Sequence, residues 1–268
     1  MAAARAAREA GAGSVLLIDR DRRLGGILPQ CIHSGFGLHR FSQEMTGPEY
    51  AHHDIQLIEA CDEITLSMES FVTDLSCSDG RFELQVLRQG ELSQVPAHAV
   101  VLAMGCRERT AGAISLPGTR PAGIFTAGTA QRLMNLQNMS LGSRAVIVGS
   151  GDIGLIMARR LILEGTTVEA VIEIMPFPGG LNRNVHQCLE DYDIPLMLST
   201  QVIQVHGRHR VEGVTIKNDY GIKYIPCDTL LLSVGLIPEH ELCRKSKVRI
   251  DPRTQGAVVD SRCMTSIE

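Results

Sequence analysis

The chain has 268 residues, of which 44% are hydrophobic and 21% charged, enough for two domains of ordinary size and typical of a globular protein. A net charge of −4 and a pI near 6.1 leave no basic excess, and no Lys/Arg cluster forms a nucleic-acid footprint. No apolar run reaches the length of a membrane span, and Met1 to Ala12, with Arg5, Arg8 and Glu9, is too polar for a secretory leader, so the expectation is a cytoplasmic chain with no nucleic-acid partner and no span.

Taken in order, Ala2 to Ala10 reads as a helix of small residues ended by Gly11 to Gly13, and Val15 to Ile18 as a buried strand stopped by Asp19. This is the second half of a β-α-β unit. Arg22 to Gly37 holds four glycines and a proline among a few apolar side chains; it is either backbone wrapped closely around a ligand or a plain ordered loop. Thr46-Gly47-Pro48-Glu49 starts a helix that runs to about Ala60, with Thr46 as cap and His52 and His53 on its solvated face.

From Ile64 to Val95 the residues alternate, with turns at Asp79-Gly80 and Gln89-Gly90, which predicts a small antiparallel meander. Ala99 to Gly105 reads as a buried strand closing on a glycine. Arg107 to Phe125, with Pro117, Gly118, Pro121 and Gly123, has the composition of a hinge.

The most informative stretch follows. Arg144 to Val148 is an apolar β-type run that enters Gly149-Ser150-Gly151-Asp152-Ile153-Gly154. A helical pattern and a second apolar run come next, ending at Glu173, 19 residues past the last glycine. This is the dinucleotide-binding β-α-β fingerprint in full context. Gly149 allows the tight turn, Gly151 admits a pyrophosphate, and Gly154 lets the helix lie close to the strand. The helix start would receive the diphosphate, and Glu173 would accept both hydroxyls of the adenine ribose, which favours NAD over NADP.

Further alternating strands are expected at Gln201 to Val205, Val211 to Lys217 and Ile222 to Ile225, then a buried strand at Thr229 to Gly235. Strand alternation resumes from Val248 to Asp260 around a turn at Thr254 to Gly256. Each half thus repeats one logic: a β-α-β remnant ending in an acid, a meander, and an apolar run ending in glycine. The eight cysteines are spread without C-x-x-C or metal spacing, so most are expected to be reduced core residues, and no metal site is expected.

Leu24 to Gly37, Thr46 to Tyr50, Glu173 to Leu181 and Ser233 to Pro238 together resemble the pyridine nucleotide-disulfide oxidoreductases. Within that class they are most similar to dehydrogenases grouped with opine, sarcosine and cyanide-forming oxidase subunits and with glycerol-3-phosphate operons. The resemblance implies an α/β fold of two Rossmann-like three-layer domains, one for FAD and one for NAD. The NAD domain (117–238) is inserted in the FAD domain (1–116 and 239–268), and each carries a small antiparallel meander.

It also implies roles. Asp19 would hold the FAD ribose, Gly25 and Gly26 would let the loop approach the flavin, and Ala103 to Gly105 and Ser233 to Gly235 would be the strand ends against FAD and NAD. Where the disulfide reductases carry two cysteines five residues apart, this chain has Leu28 and His33, so disulfide reduction by this loop is not expected. Cys31 either lines the flavin or is a buried inert thiol.

The family's first glycine turn would stand before Met1 and a late Gly-Asp flavin element after Glu268, so the expectation is weakened FAD binding. The implied activity is hydride transfer between NAD(H) and FAD, with electrons passed to a partner subunit or a small acceptor, or direct oxidation of an amine or opine. A homodimer is the other assembly considered. The competing reading is a non-catalytic fragment that binds NAD without retaining FAD.

Overall fold

In the computed structural model, which describes residues 1–267, the chain forms two compact units. One comprises Met1–Cys106 with Pro238 to Ile267, and the other Arg107–Ile237. The second is a single continuous insertion in the first.

The inserted unit has three layers. Its centre is a parallel five-stranded sheet in the order Leu196–Met197, Thr167–Ile172, Arg144–Val148, Thr229–Leu232, Ile124–Thr126. Consecutive residues of the central strands face opposite ways, and both ways lead into core. Ala145, Ile147, Val171 and Leu231 pack with helices Ala127–Gln137, Asp152–Leu163 and Asn182–Cys188. Val146, Ala170, Ile172, Leu230 and Leu232 pack with the meander Gln201–His206, Gly213–Asn218, Gly221–Pro226 on the other face. Burial on two sides is why these strands read as unbroken apolar runs. The stretch from Arg107 to Phe125, expected as a hinge, is instead fastened to this unit. Leu116 is buried, and Gly118, at φ +106°, has no room for a Cβ, which would stand 2.3 Å from Val205 O.

The first unit is smaller in its layers. Helix Ala2–Glu9 leads to strand Val15–Ile18, which pairs in parallel with Ile64–Ser67. The strand is not buried as expected: Leu16 is 41% exposed, since Ile64–Ser67 is its one ladder partner among the described residues. Ile64–Ser67 also leaves the predicted meander, which consists of Ser70–Ser78, Arg81–Arg88 and Glu91–Ala97 with turns where the sequence put them. Helix Gly47–Glu59 packs Ile58 against Leu24 and Ile64, and the Glu49 carboxylate accepts the Thr46 N–H at 2.7 Å and its hydroxyl at 2.8 Å, closing the helix start.

Two further expectations fail here. Ala99 to Gly105 forms no strand and joins no ladder among the described residues; Val100 and Leu102 pack on the inner face of the meander while Val101 is 70% exposed. The Val248 to Asp260 segment forms one antiparallel bridge, Ile250 to Ala257, rather than two strands, although its turn is present. Cys31, Cys188, Cys227 and Cys243 are buried and the other four cysteines are not, so half rather than most lie in core; all eight are free thiols. No described helix is long and apolar enough to cross a membrane.

Candidate nucleotide site

Strand Arg144–Val148 hands over to helix Asp152–Leu163 through a turn that only glycine could make. Gly149 has φ +96°, and a Cβ there would lie 2.1 Å from Ser233 O. At Gly154 a Cβ would meet Gly149 O at 2.7 Å and the Ser233 side chain at 2.9 Å. The glycine turn and the end of strand Thr229–Leu232 are therefore in direct contact, at the point where the sheet order reverses between Arg144–Val148 and its two neighbours. Open α/β sheets bind ligands at this crevice. The first turn of the helix has no side-chain cap, its N-cap being Gly151, and Gly151, Asp152 and Ile153 are only half-buried. Unfilled N–H groups at a solvent-reachable helix start suit a diphosphate.

Glu173 ends the neighbouring strand as the sequence implied, but it does not stand open. It is 8% exposed; Oε2 accepts from the Ser150 N–H at 2.9 Å and the Ser150 hydroxyl at 2.6 Å, and Oε1 from the Met175 N–H at 2.9 Å. Burial pushes its pKa up, but these hydrogen bonds outweigh burial and hold the carboxyl below its ordinary value, so it is a carboxylate near neutral pH. The Ser150 hydroxyl in turn accepts the Gly179 N–H at 2.8 Å. Asp152 Oδ1 accepts the Leu181 N–H at 2.8 Å and the Asn184 side-chain amide at 2.7 Å. The segment after Glu173 is thus tied across one side of the turn, seated so closely that a Cβ on Gly180 would be 2.7 Å from Leu155 Cδ1. Sequence reasoning did not connect Gly179, Gly180, Asn184 or Ser233 with the turn. The paired glycines after Pro176-Phe177-Pro178 were the one local signal. On the other side of the reversal, a cleft of about 350 Å³ opens beside the ends of Thr229–Leu232 and Ile124–Thr126, where Arg120, Phe125, Thr126, Thr129 and Leu232 line it.

The remaining nominated residues, Gly235 apart, lie in the first unit. Asp19 is half-buried and its Oδ1 accepts the Asp21 N–H at 3.0 Å. Gly25 and Gly26 both have positive φ, +114° and +58°; Gly25 sits on Pro29, whereas a Cβ on Gly26 would meet nothing within 4 Å. Gly105 is likewise left-handed with nothing within 4 Å, and Ala103 is exposed. Cys31 is buried, its Sγ donates to Ile27 O, and burial pushes the thiol up, so it is protonated at neutral pH. In the inserted unit, Gly235 has φ +102° and its carbonyl accepts the Arg109 N–H at 3.0 Å. Open left-handed backbone at Gly26 and Gly105 fits the approach of a flat ring system. The glycine turn fits a diphosphate far more specifically. Among the described residues no group of three or more His, Cys, Asp or Glu could hold a metal ion.

Nested α/β units with a strand-end acid and a meander apiece, the inserted one opened by a glycine turn, define a two-dinucleotide-fold oxidoreductase class. The chain matches the family described as pyridine nucleotide-disulphide oxidoreductase over residues 1–268, and it belongs to that family, whose members use FAD and NAD(P)H. Similar curated proteins include an opine oxidase subunit of Rhizobium meliloti, 27% identical over 266 residues (90% of this chain, 49% of that protein). The opine oxidase subunit of the same name from Agrobacterium tumefaciens (strain Ach5) is 27% identical over 185 residues (63% of this chain, 36% of that protein). The matched stretches thus span about half or less of those relatives. Among solved structures, T. acidophilum thioredoxin reductase superposes with a TM-score of 0.78 at 24% identity, over 99% of this chain and 82% of that one, and shares the fold.

Proposed function

We propose that the chain is an FAD-dependent oxidoreductase that transfers hydride between NAD(H) and flavin without a redox-active cysteine pair and passes electrons to a partner subunit or a small acceptor. The observation that carries this reading is the uncapped helix start behind Gly149, in contact with Ser233 at the sheet reversal. The N–H groups of the turn bind the diphosphate, and Glu173 faces the adenosine half with a fixed negative charge that disfavours a 2′-phosphate. The other half of the dinucleotide runs toward the cleft at Thr126 and Thr129, whose hydroxyls share a 2.9 Å hydrogen bond. The cofactors supply the hydride chemistry; the residues supply orientation and exclusion of water. Leu28 and His33 at the cysteine positions, and the buried, protonated Cys31, support a route that uses no disulfide. The names of the opine oxidase relatives support a multi-subunit assembly.

A second reading, NAD binding without retained flavin, is favoured by the partly exposed Ala99 to Gly105 run, which joins no ladder among the described residues. One experiment separates them: the visible spectrum of the purified chain with FAD, then with NADH in the absence of oxygen. A flavin band bleached by NADH is expected. No retained flavin, with NADH still bound by titration, selects the second reading.

A further inference from the structure

We propose that Ser150 is the positioning residue that sets how the adenosine half of the dinucleotide is read, by tying Glu173 to the loop Met175 to Leu181. The inference rests on the NAD reading above and refines it. Ser150 is fully buried, at 0% exposure, yet its polar atoms are engaged. Its amide and hydroxyl donate to the same carboxylate oxygen, Glu173 Oε2, and its Oγ receives Gly179 N–H. A carboxylate oxygen offers about two acceptor sites, so Oε2 is filled. Oε1 already takes Met175 N–H, which leaves at most one site for a ribose hydroxyl. The Ile174 N–H also approaches this carboxylate, so the two-hydroxyl grip expected of Glu173 is reduced to one at most.

The clasp has a second consequence. With Met175 held at one end by Glu173 and Ser199, and Gly179 bound to Ser150 and Leu181 to Asp152 at the other, the loop is anchored at both ends, and Pro176 and Pro178 fix its backbone further. It holds out Ile174, Met175 and Phe177 at 64%, 46% and 55% exposure, directly after the ribose acid. A rigid apolar surface beside a single acceptor suits an adenine ring and one hydroxyl, because its ordering cost is met before the ligand arrives. The nicotinamide half, leaving the turn on the other side of the sheet reversal, touches none of these groups.

The test compares NADH with reduced nicotinamide mononucleotide, which lacks the adenosine half, by fluorescence titration of the whole chain. Ser150→Ala leaves Gly179 N–H without its acceptor and loosens the loop, and it should weaken NADH about tenfold while leaving the mononucleotide unchanged. Equal weakening of both probes, or NADH bound as tightly as by wild type or more tightly through the acceptor site freed on Glu173, overturns the role of Ser150. A wild-type chain that takes up neither probe overturns the nucleotide reading itself. If the variant does not fold, hydrogen exchange on the wild-type chain decides. At equal occupancy NADH should slow exchange of the Met175 to Leu181 amides and the mononucleotide should not; equal protection by the two overturns the proposal.

Discussion

Ala99 to Gly105 and Thr229 to Gly235 occupy the same place in their two units, each an apolar run after a meander and each ending in a glycine at positive φ. In the inserted unit, Thr229–Leu232 lies between two parallel strands and all four residues are buried. In the first unit the corresponding run has one side on a meander and no ladder partner among the described residues, and Val101 stands out at 70% exposure. The same residue pattern thus gives a core strand or a one-sided irregular segment according to what flanks it. Hydrophobicity says that a segment seeks burial; the ladder partner decides whether it gets it on both faces.

The largest break of this comparison comes from adding one carbon to a glycine in each unit. Gly149→Ala must move the Ser233 backbone and accept φ +96°, so it should cost at least about 3 kcal/mol and abolish NADH binding. Gly26→Ala, with open space and φ +58°, should cost about 1 kcal/mol, the left-handed penalty alone. Melting curves of the two variants measure the gap, and equal losses would mean that the turn at Gly149 is no tighter than the loop at Gly26.

The glycine fingerprint and the β-α-β unit around it were legible because their signals are local: β-branched runs, spaced glycines, and an acid at a fixed distance; the three-layer arrangement followed from the family resemblance. The capping residues Thr46 and Glu49 and both meander turns were legible for the same reason. What was not legible depends on partners remote in sequence. Nothing near Val15 announces that it pairs with Ile64, and nothing near Glu173 announces that Ser150, 23 residues earlier, fills one of its oxygens. Gly118 looked like hinge punctuation because its contact, Val205, lies on a strand far along the chain.

A smaller contrast concerns the carboxylates that lock each unit. Asp228 accepts from Ser143 N–H and hydroxyl at 2.9 and 2.6 Å and from Arg144 N–H at 3.1 Å, holding the starts of two central strands together. Burial pushes its pKa up, but these donors outweigh it and bring the carboxyl down to about 2. A depressed folded pKa contributes stability that is complete above the ordinary value near 3.8 and is lost as pH falls toward 2. Asp228→Asn should therefore cost about 1–2 kcal/mol at neutral pH, after allowance for solvent screening, with the gap to wild type closing over that window. In the first unit Asp54 is instead held by the Arg40 guanidinium at 2.7 and 2.8 Å, and that charged pair should weaken with added salt. Melting temperatures across pH and ionic strength distinguish the two locks; a salt-sensitive Asp228 contribution would count against the neutral-donor account.

The smallest effect on stability carries the most about function. Helix Gly47–Glu59 closes its own start through Thr46 and Glu49, and helix Ala127–Gln137 has the Glu108 carboxylate on the Gly128 N–H at 2.7 Å. Helix Asp152–Leu163 begins at Gly151 with no side-chain cap. Gly151 has ordinary extended geometry, φ −66° and ψ 160°, and a Cβ there would touch only Ser233 Oγ at 3.6 Å, so glycine is not required for folding. Gly151→Ser should cap the helix and leave stability equal or about a few tenths of a kcal/mol higher. The same hydroxyl would occupy the N–H groups meant for a diphosphate, and NADH binding should fall by an order of magnitude or more. A stable variant that binds NADH as well as wild type would mean that the open helix start serves packing and not the cofactor.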